Sequence, residues 1–117
     1  MNRKNTNLLT ETLDALGAYD KSIDDVVWIG CPSFQISKDD FITLANKMYD
    51  SGYGWPEVAH DLIVAGYGWW LERAEYDGSE WWEYKTQPTI PQRTLKVKTL
   101  FTNDLLSKGL PKNKENA

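Results

Sequence analysis

Side chains that usually carry chemistry are scarce in this chain of 117 residues. One histidine, His60, and one cysteine, Cys31, are present, so a nucleophile–base couple would have to bring these two together. His60 is followed by Asp61, and in the helix that this stretch suggests, adjacent residues point about 100° apart and cannot pair. Carboxylates are plentiful (Asp24, Asp25, Asp39, Asp40, Glu72, Glu75, Glu80), but their positions read as caps, loops and hairpin faces rather than a facing acid/base pair. One His and one Cys are too few for a structural zinc site, and no run alternates carboxylates around a central Gly as a calcium loop does. The reading is of a non-enzyme without a cofactor or metal.

The other chemistry available is stacking and apolar contact by aromatic rings. Six Trp, six Tyr and three Phe make 13% of the chain. Four of the six Trp lie in Trp69-Trp70 and Trp81-Trp82, which flank Asp77-Gly78, a strong hairpin signal. Neighbouring strand residues point to opposite faces. Two Trp-Trp pairs therefore put indoles on both faces in any register. A sheet covered by helices needs bulky apolar groups on one face only, so some indoles are left for recognition. The acidic residues among them, Glu72, Glu75, Glu80 and Glu83, make this an aromatic–acidic surface.

The hairpin register has two solutions. A two-residue turn pairs Tyr76 with Ser79, Glu75 with Glu80, Arg73 with Trp82 and Leu71 with Tyr84, setting two carboxylates face to face at a cost of some tenths of a kcal/mol. A three-residue loop pairs Arg73 with Trp81 and Trp70 with Tyr84 and avoids that repulsion.

Other segments supply the frame. Leu9, Leu13 and Leu16 share one helical face over about residues 7–16, and Gly17 is a natural stop. Residues 23–29 and Phe34-Gln35-Ile36 flank Gly30-Cys31-Pro32-Ser33 and predict a first hairpin over about 23–36. Ser37, with Asp40 three residues on, caps a helix over about 38–50. Pro56 opens a predicted helix over about 56–65 with Val58, Ala59, Leu62 and Ile63 on one face. The second hairpin spans about 69–85. Thr94 to Phe101 alternates as an edge strand would, and Asp104 to Lys108 reads as a last helical turn. This order predicts an α+β fold: a small antiparallel sheet of two hairpins packed by three helices, in a single domain over 1–110, with a disordered basic tail over 111–117.

Gly52-Tyr53-Gly54-Trp55 recurs as Gly66-Tyr67-Gly68-Trp69. Two Gly-Tyr-Gly loops could present Tyr53 and Tyr67 to a ligand, or the glycines simply end helices while the aromatics staple the loops down. Neither copy carries the Lys-Ser/Thr of a phosphate loop.

Charge narrows the choice of partner. Residues 1–87 hold 15 acidic and 7 basic side chains, a balance of −8, whereas 88–117 hold 2 acidic and 6 basic, a balance of +4. An acidic body does not displace counterions from phosphates, so direct nucleic-acid binding is not expected. The short apolar runs, such as Val26-Val27-Trp28-Ile29, are far below a membrane span. The single cysteine suits a reducing cytoplasm.

The segments Val27-Trp28-Ile29-Gly30, Tyr49-Asp50-Ser51-Gly52-Tyr53-Gly54, Asp61-Leu62-Ile63-Val64 and Trp69 through Trp82 resemble uncharacterised small accessory proteins of Gram-positive phages, prophages and mobile elements. The likeness covers about residues 26–88. It implies a small acidic protein that binds and inhibits host machinery, defence nucleases included, and implies no activity. The expected function is binding of a host protein, with a basic nucleic-acid-binding one as a natural candidate. Trp70, Tyr76, Trp81 and Trp82 would be the anchors, Glu72, Glu75, Glu80 and Glu83 would steer, and Tyr53 and Tyr67 would flank them. Two other readings stand beside it: a small-ligand or carbohydrate binder stacking rings on exposed Trp, and a homo-oligomer joined through the Trp patch.

Overall fold

In the computed structural model, which describes residues 5–52, 54–101 and 109–110, the longest ladder joins Trp69–Tyr76 to Ser79–Thr86 across Asp77-Gly78. Asp77 (φ 52°) and Gly78 (φ 86°) both adopt the left-handed conformation. That is the two-residue turn whose twist matches the strands it joins. The register is Tyr76 with Ser79, Glu75 with Glu80, Arg73 with Trp82 and Leu71 with Tyr84.

The chain divides into two compact units, Met1–Gln87 and Pro88–Ala117. The first holds all the regular structure of the described residues, in the order β1 (Asn5–Asn7), α1 (Leu8–Gly17), a 3₁₀ turn (Ile23–Asp25), β2 (Trp28–Cys31), β3 (Phe34–Ile36), α2 (Lys38–Ala45), β4 (Met48–Asp50), β5 (Ile63–Ala65), β6 (Trp69–Tyr76) and β7 (Ser79–Thr86). Five strands form one antiparallel sheet in the order β3-β2-β5-β6-β7, and β1 pairs antiparallel with β4 in a second, two-stranded sheet. The fold is α+β, with a small sheet of hairpins packed by helices.

The predicted cap at Ser37 opens α2, and Asn7, not read as a cap from the sequence, opens α1. The Asn7 side chain accepts from the Thr10 amide and the Ser37 hydroxyl from the Asp40 amide, each at 3.0 Å. The buried face of α1 differs from the expected leucine stripe. Thr12 and Leu16 are buried, Leu8 and Leu9 pack partly against the core, and Leu13 is exposed. Thr12 is tolerated inside because its hydroxyl donates to the Leu8 carbonyl at 2.7 Å and accepts from the Trp82 indole N–H at 2.9 Å.

Two predicted helices are corrected. The helix expected over 38–50 ends at Ala45, and Met48–Asp50 extends into β4, with Tyr49 opposite Thr6. The helix expected over 56–65 does not form. Residues 54–62 are loop and turn, and Ile63–Ala65 is the central strand of the sheet, paired with β2 on one side and β6 on the other. A strand buried on both sides reads as a continuous apolar run, with no period to separate it from a helical face.

Strand alternation then sorts the sheet into faces. Ile29, Ile36, Val64, Leu71 and Tyr84 lie in one row across the five strands, and Trp69 and Trp82 stand on the same face. The core forms there, where Leu16 of α1 and Phe41 and Ala45 of α2 join them with Val26. The described residues of the second unit carry no helix or strand, so the edge strand expected over Thr94 to Phe101 is absent. The helical turn expected at Asp104 to Lys108, the tail 111–117 and Tyr53 lie outside the described residues.

Candidate functional site

The hairpin divides its four indoles evenly. Trp69 and Trp82 are buried on the core face, 6% and 8% exposed. Trp70 and Trp81 stand on the opposite face, Tyr76 being 77% exposed and Trp81 37%; Trp81, on the edge strand, also lines a cavity with Thr10, Glu11 and Asp14 of α1. The open face carries two rows. Trp28, Ala65, Trp70 and Lys85 form one, and Gln35, Gly30, Ile63, Glu72 and Glu83 form the other. Beyond them Ala74 is paired with Trp81, and Tyr76 with Ser79.

Two residues read from the sequence as surface groups face inward instead. Trp82 is core, held by its bond to Thr12. Glu80, 5% exposed, is fully engaged. It accepts from Arg73 Nη2 at 2.9 Å, from the Glu57 amide at 2.7 Å and from the Val58 amide at 3.3 Å. This removes the repulsion that the two-residue register implied, because Glu80 turns to a buried cation while its cross-strand neighbour Glu75 is exposed. Repulsion between facing carboxylates is small beside a charge-assisted hydrogen bond in a buried setting.

Arg73 is the hub of that buried cluster. Its Nη2 also donates to the Tyr49 hydroxyl at 3.0 Å, its Nη1 lies 3.5 Å from Glu11, and its guanidinium sits 4.7 Å from the centre of the Trp82 ring. Tyr49 in turn donates to Glu11 at 2.6 Å. Burial works against the Arg73 charge, but the hydrogen bonds to Tyr49 and Glu80 outweigh it and raise its pKa. Burial, then the bond to Glu11, raises the Tyr49 pKa well above the usual phenol value. The cluster ties α1, β4, β6, β7 and the loop at Glu57 together, and every charged member points away from the open face. No sequence pattern marked it, since its members are 7 to 69 residues apart and Arg73 alternates with residues of the other face.

On the open face, Trp70 donates its indole N–H to Glu72 Oε1 at 2.7 Å, so the acid orients the ring. Glu83 lies 3.6 Å from the Lys85 ammonium. Trp28, which the sequence reading did not select, stands two strands from Trp70, with Ala65 between them. These three residues, with Ile63, Gly66, Gly68, Trp69 and Gln87, line a cleft of about 280 Å³. Finding Trp28 required knowing that Ile63–Ala65 is a strand, which is the step the apolar run concealed.

Tyr67, 87% exposed, tips the turn between β5 and β6. The turn closes through Gly66 N–H donating to the Trp69 carbonyl at 2.9 Å, with Gly68 at φ 80°. His60 is exposed on a turn rather than a helix, and Cys31 is half-buried at the end of β2. Among the described residues no three His, Cys, Asp or Glu side chains converge as metal ligands would, and no helix is long and apolar enough to cross a membrane. Comparison with known protein families, with curated proteins and with solved structures finds no match in any of the three.

Proposed function

We propose that this protein is a non-catalytic binding module that engages a host protein through the open face of its five-stranded sheet, as an accessory protein of a phage or mobile element. Trp70, Trp81 and Tyr76 are the anchors, and Glu72 and Glu83 supply the charge that selects a basic partner. The observation that carries this reading is the split of the Trp-Trp pairs. Trp69 and Trp82 belong to the core cluster, whereas Trp70 and Trp81, on the other face of the hairpin, lie outside it. Aromatic groups at the centre of an interface, with charges around them, are the usual composition of a protein-binding patch. A balance of −8 over residues 1–87 favours encounter with a basic surface, such as the groove of a nucleic-acid-binding protein.

Photo-crosslinking tests the reading. A photoreactive residue replaces Tyr76 on the open face, and in a control it replaces Tyr19, which stacks on core-facing Tyr84. A Gram-positive host lysate should give a discrete crosslinked protein from position 76 and not from position 19. Excess unlabelled wild-type protein should abolish it, and excess Trp81→Ala should not. Identical products from both positions, or none that Trp81 governs, would refute the proposal.

A further inference from the structure

Resting on that reading, we infer that the cleft between Trp28 and Trp70 receives one cationic side chain of the partner, an arginine.

The geometry begins with strand spacing. Trp28 on β2 and Trp70 on β6 flank Ala65 on β5 in one row, so their backbones are two inter-strand steps apart, about 9–10 Å. Enclosing a flat group between two rings takes two carbon contacts, about 7–8 Å in all. Alanine as the middle residue leaves that space open, and Ile63 adds an apolar floor. Among the described residues the two indoles do not stack on each other. At about 280 Å³ the cleft is below the roughly 300–1,000 Å³ of sites that enclose a whole small molecule. It suits one side chain delivered by a larger partner.

Charge selects which side chain. Glu72 uses Oε1 to accept from Trp70, while Oε2 has no hydrogen bond among the described residues. Glu83 is its cross-strand neighbour. On the open face of β6 and β7 the one cation is Lys85, and it is drawn to Glu83. Two indole faces beside a carboxylate with an open oxygen favour a cation that is flat, weakly hydrated and forked. Guanidinium is such a group, whereas ammonium is compact and strongly hydrated. Tying Trp70 to Glu72 also sets one wall before the ligand arrives.

The test uses the full chain and a blocked pentapeptide of glycines with one central arginine, matched by the same peptide carrying uncharged, near-isosteric citrulline. Binding is read from the indole N–H signals of Trp28, Trp70 and Trp81 in two-dimensional NMR. The arginine peptide should shift Trp28 and Trp70 saturably and leave Trp81 in place. Citrulline should bind about tenfold more weakly or worse, and added salt should weaken arginine binding. Glu72→Gln, which keeps an acceptor for the Trp70 N–H, should cost about fivefold in affinity. Trp28→Ala should remove binding, with an otherwise unchanged spectrum showing that the variant is folded. Equal affinity for arginine and citrulline would overturn the inference and leave a neutral ring slot. Shifts confined to Trp81, or Trp28→Ala binding as wild type, would overturn it as well. The two proposals fail separately. If Trp81→Ala loses the crosslinked partner and Trp28→Ala does not, the cleft is wrong and the surface stands. If the arginine peptide fills the cleft and no Trp81-dependent partner is found, the surface is wrong and the cleft stands.

Discussion

Replacing Glu80 by glutamine should destabilise the protein far more than a change in an exposed hairpin would. Its carboxylate is almost wholly buried and serves three donors: the Arg73 guanidinium and the amides of Glu57 and Val58. Removing one charge of a buried pair typically costs about 3–5 kcal/mol, because the other is left uncompensated. Glu11, 3.5 Å from Arg73, takes up part of that charge, which points to the lower end, about 3 kcal/mol. Glutamine also turns an N–H₂ group toward a backbone N–H that needs an acceptor. A small domain unfolds with a urea dependence of about 1–3 kcal/mol per M, so the midpoint should fall by roughly 1–3 M. Arg73→Met should cost a similar amount, leaving Glu80 with backbone donors alone. The double variant should cost about 2 kcal/mol less than the sum of the two, which is the coupling expected of groups in one network. The assay is equilibrium urea unfolding at pH 7 followed by Trp fluorescence, with hydrogen exchange at the Glu57 and Val58 amides as the local readout. Exchange at those two amides should quicken in Glu80→Gln before global unfolding. Additive single costs below about 1 kcal/mol, the worth of an exposed ion pair, would refute the account and mean that this charge pair is solvated.

Thr12→Val should cost about 1–3 kcal/mol in the same unfolding assay, since it leaves the Trp82 indole N–H buried without an acceptor. Gly66→Ala should cost about 1–3 kcal/mol and change the near-ultraviolet circular dichroism, because its Cβ would fall within 2.2 Å of the Trp69 ring and displace a core indole. Gly68→Ala, by contrast, should cost about 1 kcal/mol and leave that spectrum intact, because a Cβ there meets open space and its φ of 80° is the sole objection. Stability should fall with alkali above the ordinary phenol pKa of 10.0, because the unfolded chain releases the Tyr49 proton there while the folded state, with its raised pKa, still holds it. That contribution is complete below pH 10.0, and Tyr49→Phe should flatten the decline in a series of urea midpoints.

Local signals were legible in the sequence, and signals that depend on distant partners were not. Asp77-Gly78 declares its turn because few residue pairs tolerate two successive left-handed conformations, and the cap at Ser37 lies three residues from the amide it serves. The Trp-Trp argument succeeded because alternation holds in any register. What it left open was which indole of each pair turns inward. That choice is made by Thr12, 70 residues from Trp82, and by the packing of Leu16, Phe41 and Ala45 against one side of the sheet. The same remoteness hid Glu80. A carboxylate in a hairpin reads as a solvated charge, and only the approach of Arg73 and of the amides at 57–58 makes it an interior group. Moving Glu80 and Trp82 inside leaves a smaller open face that is better defined: Trp28, Trp70 and Trp81 with Glu72 and Glu83. It also separates two roles for acid. Glu80 and Glu11 neutralise the cation this chain buries, whereas Glu72 keeps an oxygen open where two indoles stand apart. The interior arginine is paired with two carboxylates and an aromatic face, although its buried Nε and Nη1 have no hydrogen bond; in the proposed cleft the same kinds of group, Trp28, Trp70 and Glu72, would receive an arginine from outside.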